Sequence, residues 1–373
     1  MKPELQETMI RRVLAHLEHR TTDTAAQPTR LPVAAYADAA RFERELPRLF
    51  RGTPIAVGHV SQLQQPGDFF THDASGLPLL VARGDDGRIR AFKNVCRHRG
   101  TRVEGAPCGQ RKAFVCPYHA WSYARDGHLL GRPHEDGFAG IAREERGLVE
   151  VPVGEAAGLV FVRPDGPFDA TAWLAPVLED LVGFGTATAT MYDPIAFTKQ
   201  LSWKLAIDIF LEAYHLRSTH GRSIYPLFFD NVALVDLLGP HIREVLPKRT
   251  IREAGPHGSL RHHANILYHL FPNTLVLVEP DHAAVVHMWP RGPAETLLTA
   301  YTLIPEPAAT DKARTHWDAN NAILYSAIEE DFAMGESIQR GLAAGANEDV
   351  VFGAFEHALA HFHRQVADAT IGG

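Results

Sequence analysis

Cysteine is scarce, with three residues in a chain of 373. So small and odd a number argues against a disulfide framework and for a reducing, cytoplasmic setting in which thiols bind metal or pack in the core. Long apolar runs are also missing. None approaches the roughly 18 residues that a membrane-spanning helix needs, and the opening MKPELQETMIRRVLAHLEHR lacks the unbroken apolar block of a secretory leader. Positive charge is not in excess: 37 Lys and Arg against 44 Asp and Glu leave a net charge of -7. That balance speaks against nucleic acid or an anionic membrane surface as a partner, since both reward clustered cations. No Gly-rich phosphate loop, dinucleotide fingerprint, internal repeat or second cysteine cluster is found.

What remains is the pattern of an ordinary globular chain long enough for two cores. Met9, Ile10, Val13, Leu14 and Leu17 follow helical spacing and predict a short amphipathic first helix. Residues 22–32, rich in Thr, Asp, Gln and Pro, read as a linker. From about 46 to 163 the chain has short apolar runs split by Gly, Pro and Asp. Strands are expected at 79–83 and 89–95, joined across Gly84-Asp85-Asp86-Gly87, at 121–124 and 128–130 around Arg125-Asp126-Gly127, and at 158–162. Helical patterns follow at 172–183, 203–216 and 319–342, with strand-like segments at 266–270, 274–278, 283–289 and 297–304. The expected class is α+β: helix and linker over 1–43, an all-β domain over 44–165, and over 166–373 an antiparallel sheet with helices on one face.

Within the all-β part lie NVCRHRG and CPYHAW, which place Cys96, His98, Cys116 and His119 in two loops as Cys-x-His and Cys-x-x-His. Each loop offers one thiolate and one imidazole. A [2Fe–2S] cluster held by two Cys on one iron and two His on the other needs four such ligands from two loops, and imidazole ligation raises its potential. The alternatives are a structural zinc site, whose cysteines and histidines normally come as separate pairs, and a Cys96–Cys116 disulfide. Trp121 is placed to shield such a centre, and Cys108, between the loops, is expected to be a buried structural thiol.

The second constellation is SWKLAIDIFLEAYHLRSTH. From 205 to 216 nearly every position is apolar except Asp208, Glu212 and His215, which at i, i+4, i+7 would share one stripe of a buried helix. Ionisable groups there need partners or a metal, and a purely structural carboxylate–histidine pair is the alternative. His220, five residues after His215, is turned by about 140° on an ideal helix, so the helix is expected to bulge or end near 216–218. In 319–342 the apolar stripe runs Leu324, Ile328, Asp331, Ile338, Leu342. Asp331 interrupts it, while Glu329, Glu330 and Glu336 are expected on solvated faces. Two histidines and one carboxylate make the facial triad of non-haem Fe(II) oxygenases.

CRHRG and CPYHAW are similar to the two ligand loops of the Rieske non-haem iron oxygenase family, and Glu-x-x-His-x(4)-His with Asp331 before ESIQRG resembles its mononuclear-iron motif. Ala120 departs from the family's usual Gly and is expected to be tolerated. The resemblance implies an N-terminal Rieske domain, a C-terminal helix-grip (START/Bet v1-like) catalytic domain, a [2Fe–2S] cluster and Fe(II) held by His215, His220 and Asp331. It implies that Glu212, at a position where the family more often has Asp, bridges His119 of one subunit to His215 of the next in a homotrimer, with Asp208 in support. The expected activity is hydroxylation of a small aromatic or related substrate with O2 and electrons from a separate flavin or ferredoxin-type reductase. Oxidative N- or O-demethylation, a cluster-only electron carrier and a zinc-stabilised protein are the alternatives. Of the 21 histidines, His282 and His287 flank a predicted strand and are considered as substrate-facing.

Overall fold

The computed structural model describes residues 1–255 and 258–371. The chain divides into two compact units, Phe50–Trp173 and Met1–Leu49 with Leu174–Gly373. The first helix thus belongs with the C-terminal half.

The unit Phe50–Trp173 is built of short antiparallel strands. One sheet runs in the order Glu150–Val151, Ile89–Lys93, Leu79–Arg83, Asp68–His72, Cys108–Gln110. A second joins Val153–Ala156, Leu159–Val162 and Ile55–His59, and a third Phe114–Val115, Ser122–Tyr123 and Leu129–Gly131. The predicted hairpins are present with ends moved by one or two residues. Phe69, Leu80, Phe92, Phe114, Trp121 and Tyr123 pack into one core cluster, and Cys96 and Cys116 are part of it. Cys108 is not: it lies on an edge strand and is exposed. The expectation of a buried thiol fails because a three-residue edge strand has only one neighbour to cover it.

The other unit is organised by a seven-stranded antiparallel sheet. Its order is Thr190–Lys199, Glu295–Ile304, Ala283–Gly292, Thr274–Val278, Ala264–Leu270, His241–Pro247, Leu234–Leu238. This is the helix-grip architecture, completed by helices at Pro3–His19, Asp311–Ala343 and His357–Ile371. The expected linker is partly a strand: Thr29–Pro32 pairs antiparallel with Asp349–Phe352. Among the described residues no helix is long and apolar enough to cross a membrane.

Two local features set up the candidate iron site. The helix predicted over 203–216 is broken: Trp203–Asp208 is helical, and only the single turn Leu216–Thr219 resumes. The Glu212 carboxylate explains the gap. It accepts hydrogen bonds from the backbone N–H of Tyr214 and of His215, donors that a continuous helix would direct to carbonyls four residues back. Glu212 therefore caps a new turn. On the long helix Asp311–Ala343, Gly335 sits one turn after Asp331 with no room for a side chain: a methyl group there would lie 2.7 Å from Ile209 Cδ1 and from Leu201 Cδ1. The missing side chain lets the helix approach the 201–209 segment closely. Ile338, expected on the buried stripe, is exposed; Phe332, Gly335 and Gln339 occupy the inner face instead.

Candidate metal centres

In the β unit the two candidate ligand loops share one conformation. Cys96 N donates to Thr101 O and Gly100 N to Cys96 O; Cys116 N donates to Trp121 O and Ala120 N to Cys116 O. Each loop closes through a left-handed residue, Gly100 at φ 84° and Ala120 at φ 57°. Ala120 is therefore more than an added methyl, since its Cβ must adopt a conformation that glycine takes freely. Cys96 and Cys116 are buried and free, and the His98 and His119 rings lie 4.7 Å apart between centroids. The Nδ1 atoms of both rings are buried and make no hydrogen bond to any described protein group. Two buried thiols and two inward-facing, unpartnered imidazole nitrogens are the donor set a His2Cys2 cluster requires. Trp121 stacks on His98 at 4.9 Å with the rings 7° from parallel, and the Tyr123 hydroxyl lies 3.3 Å from Cys96 Sγ.

In the catalytic unit one donor atom each from His215, His220 and Asp331 falls within a group whose members lie within 4.8 Å of one another. His220 Nε2 is 2.8 Å from Asp331 Oδ1, and His215 Nε2 is 3.4 Å from the same oxygen. The other face of each imidazole is held by a second carboxylate. His215 Nδ1 donates to Glu212 Oε1. His220 Nδ1 lies 2.6 Å from Glu330 Oε2, which also accepts from Ser223 Oγ at 2.6 Å. Fixing Nδ1 in this way directs both Nε2 atoms at the shared point, the arrangement that orients imidazoles for a metal.

Burial alone would make His215 less basic, but hydrogen bonds and negative charge from Asp331 and Glu212 outweigh it and raise its pKa to about 10. His220 is raised in the same sense against its burial, by Asp331 and Glu330. Asp331, although buried, is held below the usual carboxylate range by the two imidazoles. Three carboxylates converging on two imidazoles make a site that favours positive charge, which a divalent cation would supply. The donors, their spacing and their charge fit a facial-triad iron.

Asp208 does not join this group. It hydrogen-bonds the Tyr36 hydroxyl, and His363 Nε2 approaches its two oxygens at 2.9 and 3.0 Å. The expected stripe fails because the helix ends at Asp208, so helical spacing no longer carries over to Glu212 and His215. Glu330, expected to be solvated, is instead a hydrogen-bond partner of His220. Nothing in its position on the helix marks it, because the contact comes from a distant segment. Glu329 pairs with Lys199, and Glu336 accepts from the backbone N–H of Gln200.

A cavity of about 100 Å³ opens against the triad. Besides His215, His220, Asp331 and Glu212, Asn265 is the one polar residue in its wall; Phe210, Phe228, Leu246, Leu267 and Ile328 are among the apolar ones. His287 lies outside this wall, buried against Thr274. His282 lines a neighbouring cavity.

A fold of this kind carrying two metal-competent centres defines an oxygenase subunit, and the comparisons with known proteins name its family. Residues 53–152 match the Rieske [2Fe-2S] domain, and residues 192–371 the catalytic domain of the ring hydroxylating alpha subunit. The chain is 28% identical over 364 residues to the glycine betaine monooxygenase oxygenase subunit of Pseudomonas aeruginosa, covering 85% of this chain and 83% of that one. It is 27% identical over 360 residues to the carnitine monooxygenase oxygenase subunit of Escherichia coli, covering 90% and 92%. To the biphenyl 2,3-dioxygenase subunit alpha of Rhodococcus jostii it is 33% identical over 273 residues, covering 71% and 57%. Among solved structures, naphthalene 1,2-dioxygenase from a Rhodococcus species bound to indole superposes with a TM-score of 0.79 at 18% identity, over 98% of both chains; at that identity the likeness shows the fold. The chain belongs to the Rieske non-haem iron oxygenase family, as an alpha-type oxygenase subunit. It is an O2-dependent oxidoreductase whose cofactors are a Rieske [2Fe–2S] cluster and a mononuclear iron, and it works on small molecules with electrons from a separate reductase.

Proposed function

We propose that the chain is the terminal oxygenase that hydroxylates a small, largely apolar organic substrate, aromatic or related, drawing electrons from a flavin or ferredoxin-type reductase. The observation that carries this is the cavity against His215, His220 and Asp331, whose wall beyond the triad, Glu212 and Asn265 is entirely apolar. Such a wall favours an apolar group, and so a carbon centre, at the metal face.

Cys96, His98, Cys116 and His119 are assigned to the cluster, and His215, His220 and Asp331 to the iron. Bound there, the cluster would supply single-electron transfer and the iron a site for activation of O2. Glu212 and Glu330 keep a proton on Nδ1 of His215 and His220, leaving both Nε2 lone pairs for the cation. Ser223 holds Glu330 in place. Trp121 covers one face of His98.

The working form is assigned as a homotrimer in which Glu212 links His215 to His119 of a neighbouring subunit. A carboxylate accepts about four hydrogen bonds; Glu212 takes three within its own turn, which leaves one for an imidazole across an interface. Tyr118, beside His119, and Tyr214, beside His215, are both exposed, as residues awaiting a partner surface would be. A cytoplasmic setting is part of the proposal, on the small, odd number of cysteines.

Substrate-dependent O2 uptake across a panel of small aromatics and methylated amines, with product analysis, tests the assignment. The relatives named for glycine betaine and carnitine put methylated amines in the panel, and the alternative is oxidative N- or O-demethylation. Stoichiometric formaldehyde would establish it, and a retained hydroxyl group would exclude it.

A further inference from the structure

The chamber at the triad does not stand alone. A second cavity of about 420 Å³ shares Ile224, Phe228, Asn265, Leu277, Leu324 and Ala327 with it. These six side chains form a waist between an inner chamber and an outer vestibule. The vestibule adds polar side chains to a largely apolar wall, and several of them are already partnered: Lys248 Nζ lies 3.3 Å from Glu279 Oε2, and His282 Nδ1 lies 2.8 Å from Asp281 Oδ1. At the waist Asn265 is the single polar residue. Its Oδ1 is buried and has no hydrogen-bond partner among the described protein groups.

Its place on the sheet explains where the side chain faces. Asn265 and Leu267 lie two apart on the strand Ala264–Leu270, so they share a face, and both line the chamber. Across the strand pair, Asn265 is registered with Leu246, another chamber residue. An apolar side chain at 265 would continue this wall, whereas the amide puts hydrogen-bonding capacity there, and its Oδ1 finds no donor among the described protein groups. Buried acceptors without donors are costly and uncommon, and they mark sites where a bound group completes the bonding.

Chamber size sets the other half of the recognition. A cavity of about 150 Å³ is enough to bind benzene, so about 100 Å³ is small for a whole ring, and a larger group would extend through the waist into the vestibule. We propose that Asn265 is the specificity-determining residue of this oxygenase. Its amide hydrogen-bonds a polar group of a substrate whose apolar end enters the chamber and whose remainder lies in the vestibule. The inference rests on the assignment of this cavity as the substrate site.

Benzyl alcohol and ethylbenzene have the same shape and differ by a hydroxyl in place of a methyl, so they serve as probes. Their binding to the reduced holoenzyme is measured calorimetrically without O2, for the wild type and for Asn265→Leu. The ratio of the ethylbenzene Kd to the benzyl alcohol Kd is expected to fall about tenfold in the variant, the worth of one buried hydrogen bond. Comparing ratios cancels the different hydration of the two probes. Far-ultraviolet circular dichroism and the melting temperature report whether the variant is folded; if Asn265→Leu is not, Asn265→Ala is read for the same fall. An unchanged ratio overturns the proposal, as does failure of the wild type to bind either probe. Because no turnover is needed, the two assignments fail separately. Ligand binding with the expected ratio but no O2 consumption would sink the oxygenase assignment alone. O2 consumption with an unchanged ratio would sink the role of Asn265 alone.

Discussion

Glu330 holds His220 from behind: its Oε2 lies 2.6 Å from Nδ1, while the neighbouring Asp331 meets Nε2 of the same ring at 2.8 Å. Two consecutive residues of one helix thus grip opposite nitrogens of one imidazole, and Glu212 does for His215 what Glu330 does for His220. Partners of this kind fix the ring and its tautomer, and their loss typically weakens metal binding by about 10–100-fold. Glu330→Ala is expected to lower Fe(II) affinity by that amount, with Glu330→Gln in between because it keeps an acceptor but loses the charge. Titrating Fe(II) into cluster-loaded protein stripped of its mononuclear iron, and measuring bound iron after removal of the free ion, is the check. Wild-type affinity in Glu330→Ala would remove Glu330 from the site.

Ala120 closes the Cys116 loop in the left-handed conformation that Gly100 adopts in the Cys96 loop. Ala120→Gly should raise stability by about 1 kcal/mol, and Gly100→Ala should lower it by a similar amount. Denaturant midpoints, followed by bleaching of the cluster, measure both. Destabilisation by Ala120→Gly would show that the methyl group contributes packing that exceeds the backbone strain.

Asp208 forms its own buried group with Tyr36 and His363, and burial followed by the Asp208 charge keeps the Tyr36 hydroxyl protonated well above its ordinary range. Tyr36→Phe removes a donor to a buried carboxylate and is expected to cost about 1.5–3 kcal/mol of stability with the iron content unchanged. Iron loss in proportion would place Asp208 with the metal after all.

Glu244 lies on the strand His241–Pro247, fully buried, and one of its oxygens has no protein partner. Burial first, then the negative charge of Glu212, raises its pKa from 4.5 to about 8. An acid whose pKa is higher folded than unfolded destabilises the fold as pH rises between the two values, because only the unfolded state releases the proton there. Glu244→Gln should therefore gain in melting temperature over the wild type as pH rises from about 5 to about 8, and the gain should level off above that. A pH-independent difference would mean that Glu244 is ionised in the folded protein throughout.

Much of this was legible in the chain because the informative residues are rare types in close local spacing. Cys96, His98, Cys116 and His119 stand out as paired donors in two loops, and Asp331 as an acid on an apolar stripe. What failed was whatever depended on contacts between distant segments. Glu330 reaches a residue 110 positions away, so its helical face said nothing about it. Asp208 was misplaced because periodicity presumes an unbroken helix, and Glu212 breaks it by capping its own turn. The strand Thr190–Lys199 carries Asp193 and Pro194 and a register shift between Tyr192 and Ile195, so alternation was hidden. Asn265 looks like any strand polar residue until the cavity is assembled around it.

The central claim is that one chain holds two separate iron centres, one of them through His215, His220 and Asp331. It is tested most directly by counting iron and acid-labile sulfide in protein purified without O2, for the wild type and for Asp331→Ala. The wild type should contain sulfide and iron in excess of it, because a [2Fe–2S] cluster carries the two in equal number. Asp331→Ala should keep the sulfide and lose the excess iron. A wild type without sulfide, or an Asp331→Ala protein that retains the excess, would contradict the account.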